Sequence, residues 1–114
     1  MEVGYKPDYV LRKNSEYIIL ESENTSSRKT YVGGMMKAAH FLQGEKKGKL
    51  IFALVPKENT TASSIAKHLK PYLKWIGDKT NLKEVYVIEA AAYYANELVL
   101  ALDCKGFKNC ALKV

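Results

Sequence analysis

The stretch "KLIFALVP", residues 49–56, constrains the fold more than any other part of the chain. Its apolar residues run without alternation from Leu50 to Val55, and Pro56 closes the run. A strand with one wet face alternates apolar and polar side chains, whereas an unbroken apolar strand needs cover on both faces. The run therefore predicts a central strand of a largely parallel sheet with helices packed on it. "EVYVIEA", 84–90, predicts a second buried strand. Helical spacing precedes each strand. Val32, Met35, Met36, Ala39 and Leu42 mark a helix near 30–43, and Ala62, Ile65, Ala66, Leu69, Leu73 and Ile76 mark one within 61–77.

Details of the two helices follow from their end residues. Ser27 or Thr30 suits the start of the first and Gly44 its end. Pro71 predicts a kink or a split in the second. Gly33 and Gly34 each cost about 1 kcal/mol relative to Ala in a helix. Close approach to the sheet or to a ligand would offset that, tight packing being the simpler account.

Before the first helix lies a hairpin. Its strands run near 8–13 and 16–23, and Asn14-Ser15 suits a two-residue turn because Asn tolerates positive φ. Each later strand follows a helical crossover, so it lies parallel to its predecessor through a right-handed connection. The predicted class is α/β: a mixed sheet with an N-terminal antiparallel hairpin followed by helix-strand-helix-strand, in one domain over 1–114. Beyond residue 90, "LVLAL" at 98–102 reads as an edge strand, with a short helix as the alternative.

The charge balance suggests partners. Eighteen Lys and Arg against twelve Asp and Glu leave +6, which favours polyanions, nucleic acid first and membrane surface second. The cations are spread along the chain, clustering at Arg12-Lys13, at Arg28-Lys29, and at Lys46-Lys47 with Lys49. That distribution is not that of a disordered basic tail. No apolar run approaches the roughly 18–20 residues that span a bilayer, and no signal peptide is visible, so a cytoplasmic address with no membrane association is expected. In that compartment Cys104 and Cys110 are expected as free thiols, with a small-loop disulfide as the alternative. Two cysteines without a nearby histidine do not complete a zinc site.

Against this basic background, three acids stand at one end of the hairpin. Pairing Lys13 with Glu16 sets residue i opposite 29 − i, which places Val10 across from Ile19 and Asp8 across from Glu21. Glu23 shares their face. Three carboxylates so placed repel one another and resist desolvation. A divalent cation, Mg²⁺ or Mn²⁺, offsets both effects, because carboxylate oxygens are its preferred ligands. Hydrated acids paired with Arg28 or Lys29 are the plain alternative, and a register slip of one residue would disperse the cluster.

"PD" at Pro7-Asp8, a hairpin, and then "ESE" at Glu21-Ser22-Glu23 resembles the active-site signature of the PD-(D/E)XK nuclease superfamily. That signature sets Pro-Asp at one core strand and an acid-x-Lys triplet in the next. The following helix, parallel strand, helix and strand also fit that restriction-endonuclease-like fold, over residues 7 to 90. Here Glu23 replaces the motif lysine, as in some restriction enzymes, and Lys37 in "GGMMKAAHFL" is the candidate for a lysine moved to the helix. The helix that usually precedes the first core strand has no counterpart within the six residues before Pro7; a partner chain or a trimmed fold would account for that.

The resemblance implies metal-assisted phosphodiester hydrolysis. Asp8, Glu21 and Glu23 would be the metal ligands, with Glu23 also able to take a water proton, and Lys37 would stabilise developing negative charge. Arg28, Lys29, Lys46, Lys47 and Lys49 are the expected contacts to nucleic-acid phosphates. A homodimer acting on DNA follows as an expectation, since cutting two strands needs two sites. A non-catalytic nucleic-acid-binding or protein-interaction domain of the same fold is the alternative, and the catalytic part of a larger protein is a third reading. His40 and His68 read as ordinary surface or boundary residues. Gly33-Gly34 meets no nucleotide-binding pattern. Among the tyrosines, Tyr17, Tyr72 and Tyr86 fall at core-like spacing, leaving Tyr93 and Tyr94 for base stacking.

Overall fold

The hairpin forms in the expected register. The structure, a computed structural model, describes residues 8–89 and 111–114. In it β1 (Tyr9–Lys13) and β2 (Glu16–Glu23) pair antiparallel, with Lys13 opposite Glu16 and Val10 opposite Ile19. Asn14 supplies the positive φ at the turn, 56°. Then follow α1 (Arg28–Phe41), β3 (Lys47–Leu54), α2 (Ala62–Gly77), β4 (Leu82–Glu89) and a short β5 (Leu112–Lys113). The sheet order is β1-β2-β3-β4-β5; β2, β3 and β4 are parallel, and β5 returns antiparallel to β4. Over the described residues the chain is thus an α/β protein with a mixed five-stranded sheet. The segment 98–102, Tyr93, Tyr94, Cys104 and Cys110 lie outside the described residues.

Two crossovers of the same hand, stepping in the same direction along the sheet, bring both helices to one face. Ile19 of β2, Leu50, Phe52 and Leu54 of β3, and Val85 and Val87 of β4 meet Tyr31, Met35 and Ala38 of α1 and Ile65, Leu69 and Leu73 of α2 there. The alternate residues Leu20, Ile51, Ala53 and Ile88 form a smaller cluster on the opposite face, with Ala111 packed beside it. The unbroken apolar character of β3 is therefore used on both faces.

The elements depart from expectation in instructive ways. Helix α1 starts and ends two residues early, and Ser27 occupies its N-cap position without a side-chain capping bond. Its buried face is set by Tyr31, Met35, Ala38 and Phe41, leaving Met36 48% exposed. Tyr31 goes inside because its hydroxyl donates to the Thr25 carbonyl, 2.9 Å, so burial leaves no polar group unpaired. Helix α2 is neither split nor shortened by Pro71. The proline is exposed, so the carbonyl four residues back that loses its partner lies on the wet side. Thr61 caps α2 through a reciprocal pair with Ser64.

The two glycines of α1 differ. A Cβ on Gly34 would lie 3.1 Å from the Phe52 ring, whereas one on Gly33 would meet nothing within 4 Å. Gly34 thus lets α1 approach the sheet. Among the described residues no helix is long and apolar enough to cross a membrane.

Candidate functional site

The three acids gather at the carboxyl end of β2, the end of a parallel sheet where α/β proteins commonly bind ligands. Asp8 precedes β1, and its Oδ2 accepts a hydrogen bond from the Ser22 backbone N–H, 2.7 Å. That bond extends the hairpin beyond its last ladder pair, Tyr9 with Leu20, and fixes the Asp8 carboxylate beside β2. Glu21 and Glu23 follow Tyr17 and Ile19 on the helix-facing side, because side chains along a strand alternate. Glu21 pairs with Phe52 and Glu23 with Leu54 in the parallel ladder, so both carboxylates border the main core.

The electrostatics record this crowding. Half-buried Glu21 has its pKa raised from 4.5 to about 7, first by desolvation and then by the charges of Asp8 and Glu23, with Lys37 opposing. Partial burial and then Asp8 also raise the Glu23 carboxyl. The Tyr31 hydroxyl is raised by burial and by Glu23, against Arg28. Asp8, Glu21, Glu23 and Lys37 therefore act on one another. They form no ready-made cage: among the described residues, no three His, Cys, Asp or Glu side chains are placed to hold one metal ion.

The basic residues divide. Arg28 is a structural clamp: its guanidinium donates to the carbonyls of Asn59 (2.6 Å) and Ser26 (2.9 Å) and to Thr60 Oγ1 (2.9 Å). It ties the start of α1 to the loop before α2 and satisfies Thr60, a fully buried polar residue. Lys29 is exposed beside it. Lys46, Lys47 and Lys49 sit at the other end of β3. Lys47 pairs with Glu16, 3.5 Å, while Lys46 lies over the Phe41 ring and Lys49 over Tyr86. From Lys47 to the partners of Glu21 and Glu23 is five to seven strand residues, roughly 16–23 Å at about 3.3 Å each. Near Lys47 and Lys49 a hollow of about 530 Å³ is also lined by Arg12, Lys13 and Lys83. The Asp8–Glu21–Glu23 cluster and the Lys46–Lys49 cluster thus lie at opposite ends of the sheet, with Lys37 on the acidic side and Glu16 and Glu84 on the basic side.

Three residues of interest escaped the sequence reading. Glu89 pairs with Leu54 and so stands in the same row of the sheet as Glu23, one strand further on. Its signal was the acid closing "EVYVIE" at the strand end that carries the other acids. Tyr72, expected in the core, is 47% exposed, and Trp75 is 58% exposed. Their three-residue spacing beside the apolar stripe of α2 was the available sign. Tyr17, by contrast, is buried as its spacing suggested, and Tyr86 is partly buried.

No family model matches the chain, and no curated protein or solved structure is significantly similar to it.

Proposed function

We propose that the chain is a metal-dependent nuclease with a restriction-endonuclease-like fold, hydrolysing phosphodiester bonds in nucleic acid, DNA first, as a cytoplasmic homodimer. The observation that carries this reading is the mutual charge interaction of Asp8, Glu21, Glu23 and Lys37 at the carboxyl end of β2. The donors are all hard oxygens, which suits Mg²⁺ or Mn²⁺. Asp8 and Glu21 would hold such an ion as a pair, since Mg²⁺ commonly takes one or two carboxylates and completes its shell with water and substrate phosphate. Glu23 would then serve as a proton acceptor instead of completing a three-carboxylate set.

When bound, the cation supplies polarisation of a phosphoryl oxygen and a more acidic water. The remaining steps belong to the chain. Glu21 gives up its proton on loading, because its carboxylate has to be ionised to bind. Glu23, its pKa already raised, takes a proton from the attacking water. Lys37, whose charge already reaches Glu21 from α1, offsets the negative charge that builds on the phosphoryl group.

The alternative is a nucleic-acid-binding domain that keeps the fold without the chemistry. The distance between the acidic end and the Lys46–Lys49 end favours it, because phosphates held by those lysines lie away from the acids. A plasmid-nicking assay with Mg²⁺ or Mn²⁺ separates the two. Nicking that disappears in Asp8→Asn supports the nuclease; salt-sensitive binding with no cleavage under either ion sinks it in favour of the binding domain.

A further inference from the structure

The exposed side of α2 carries a row of rings that the acidic site does not use. With Lys79 in the turn just past the helix end, the rings of His68, Tyr72 and Trp75 are spaced by four and three residues. At 3.6 residues per turn they fall within an arc of about 60°. Tyr72 and Trp75 are about half exposed, an unusual state for two large aromatic residues on one helix surface. The His68 and Tyr72 rings lie 5.6 Å apart at a tilt, and the Lys79 ammonium sits 4.9 Å from the Trp75 ring centre. The row already presents flat faces in order and already holds a cation against one of them.

Its surroundings identify the partner. Lys67, Lys70 and Lys74 occupy the rest of the solvent side of α2, all exposed. Together with Lys79, and against Asp78 alone, they contribute half of the chain's net charge of +6. A second copy of this helix would bring two segments of net charge +3 together, since a two-fold contact sets like surfaces side by side. A lipid surface wants aliphatic side chains beside the rings, and this face offers none. Exposed rings with Lys79 against one of them, on a helix whose remaining solvent side is basic, suit a strand whose bases are free to stack and whose phosphates track the cations. Bases already stacked inside a duplex offer no such faces. We infer that the Tyr72–Trp75 face of α2 is a stacking surface for single-stranded nucleic acid. This surface stands apart from the acidic cluster and does not need it.

Trp75 is the only tryptophan in the chain, so its fluorescence reports this face directly. The experiment titrates the full chain with oligothymidylate in EDTA at low salt, where no metal-dependent chemistry interferes. The expected result is saturable quenching that weakens steeply as salt rises. Labelled-oligonucleotide anisotropy should show about a tenfold loss of affinity in Tyr72→Ala, the effect of removing one stacked base. The duplex of the same length should bind more weakly and quench less. Four outcomes overturn the inference: no binding, binding by anisotropy with unchanged Trp75 emission, quenching by anionic vesicles but not by the oligonucleotide, or self-association that buries Trp75. Because both residues are exposed, circular dichroism of Tyr72→Ala should match the parent, and the affinity loss then reads the surface and not the fold.

Discussion

Glu21 is held where burial, Asp8 and Glu23 all disfavour its charge, and only Lys37 favours it. Its folded pKa, about 7, lies above its ordinary 4.5, so between those values the folded state holds a proton that the unfolded state releases. In metal-free buffer, stability should therefore fall as pH rises through that range and level off above it. Glu21→Gln removes the charge and keeps the shape. It should flatten the decline and stabilise the protein above neutral pH by about 1 kcal/mol, the full shift being discounted because the half-exposed carboxyl is screened by solvent. Urea unfolding across the range checks the sign. On the proposed nuclease reading the same substitution should abolish cleavage, the pattern of a residue kept for function at a cost in stability. Arg28 should behave in the opposite way. Its three bonds to Ser26, Asn59 and Thr60 are structural, and Arg28→Ala should lose about 2 kcal/mol in a urea titration by removing charged hydrogen bonds and stranding Thr60.

Helix α1 offers a paired test of how close it lies to the sheet. Gly33→Ala meets open space and should gain about 1 kcal/mol from helix propensity. Gly34→Ala drives a methyl into the Phe52 ring, which is fully buried and held edge-on by Tyr31, 5.3 Å between centroids. Overpacking of about 1–3 kcal/mol should outweigh the propensity gain and leave a net loss. Thermal unfolding of the two variants gives opposite shifts if this packing holds. The elements themselves were largely legible in the sequence. The β1–β2 register followed from the two-residue turn at Asn14-Ser15, which sets Lys13 opposite Glu16 and Val10 opposite Ile19. The face of α1 was legible in part: Met35, Ala39 and Leu42 are buried and Val32 packs on the core as their spacing predicts, whereas Met36 is exposed and Tyr31 lies inside. Met35 and Met36 score alike by hydropathy, and what turned Tyr31 inward was a partner for its hydroxyl, the Thr25 carbonyl, on a loop that periodicity does not address.

Across the whole molecule, the acid cluster lies at the carboxyl end of β2 and the Lys46–Lys49 cluster around the start of β3, with Glu16 and Glu84 among the latter. Sequence clusters alone could not reveal this, since Arg28 and Lys29 follow the acids in the chain while Lys46, Lys47 and Lys49 are brought to the far end by the direction of β3. On the proposed nuclease reading, the two ends divide the work. Replacing Lys46, Lys47 and Lys49 by Gln should flatten the salt dependence of nucleic-acid binding, as measured by anisotropy, and leave divalent-ion binding unchanged. The most direct test of the central claim, that Asp8 and Glu21 form a cation site, is a calorimetric Mn²⁺ titration of the parent chain and of Glu21→Gln. The account predicts saturable binding that tightens as pH rises through about 7 and is lost in the variant. Absence of saturable binding in the parent, or the same affinity in Glu21→Gln, would contradict it.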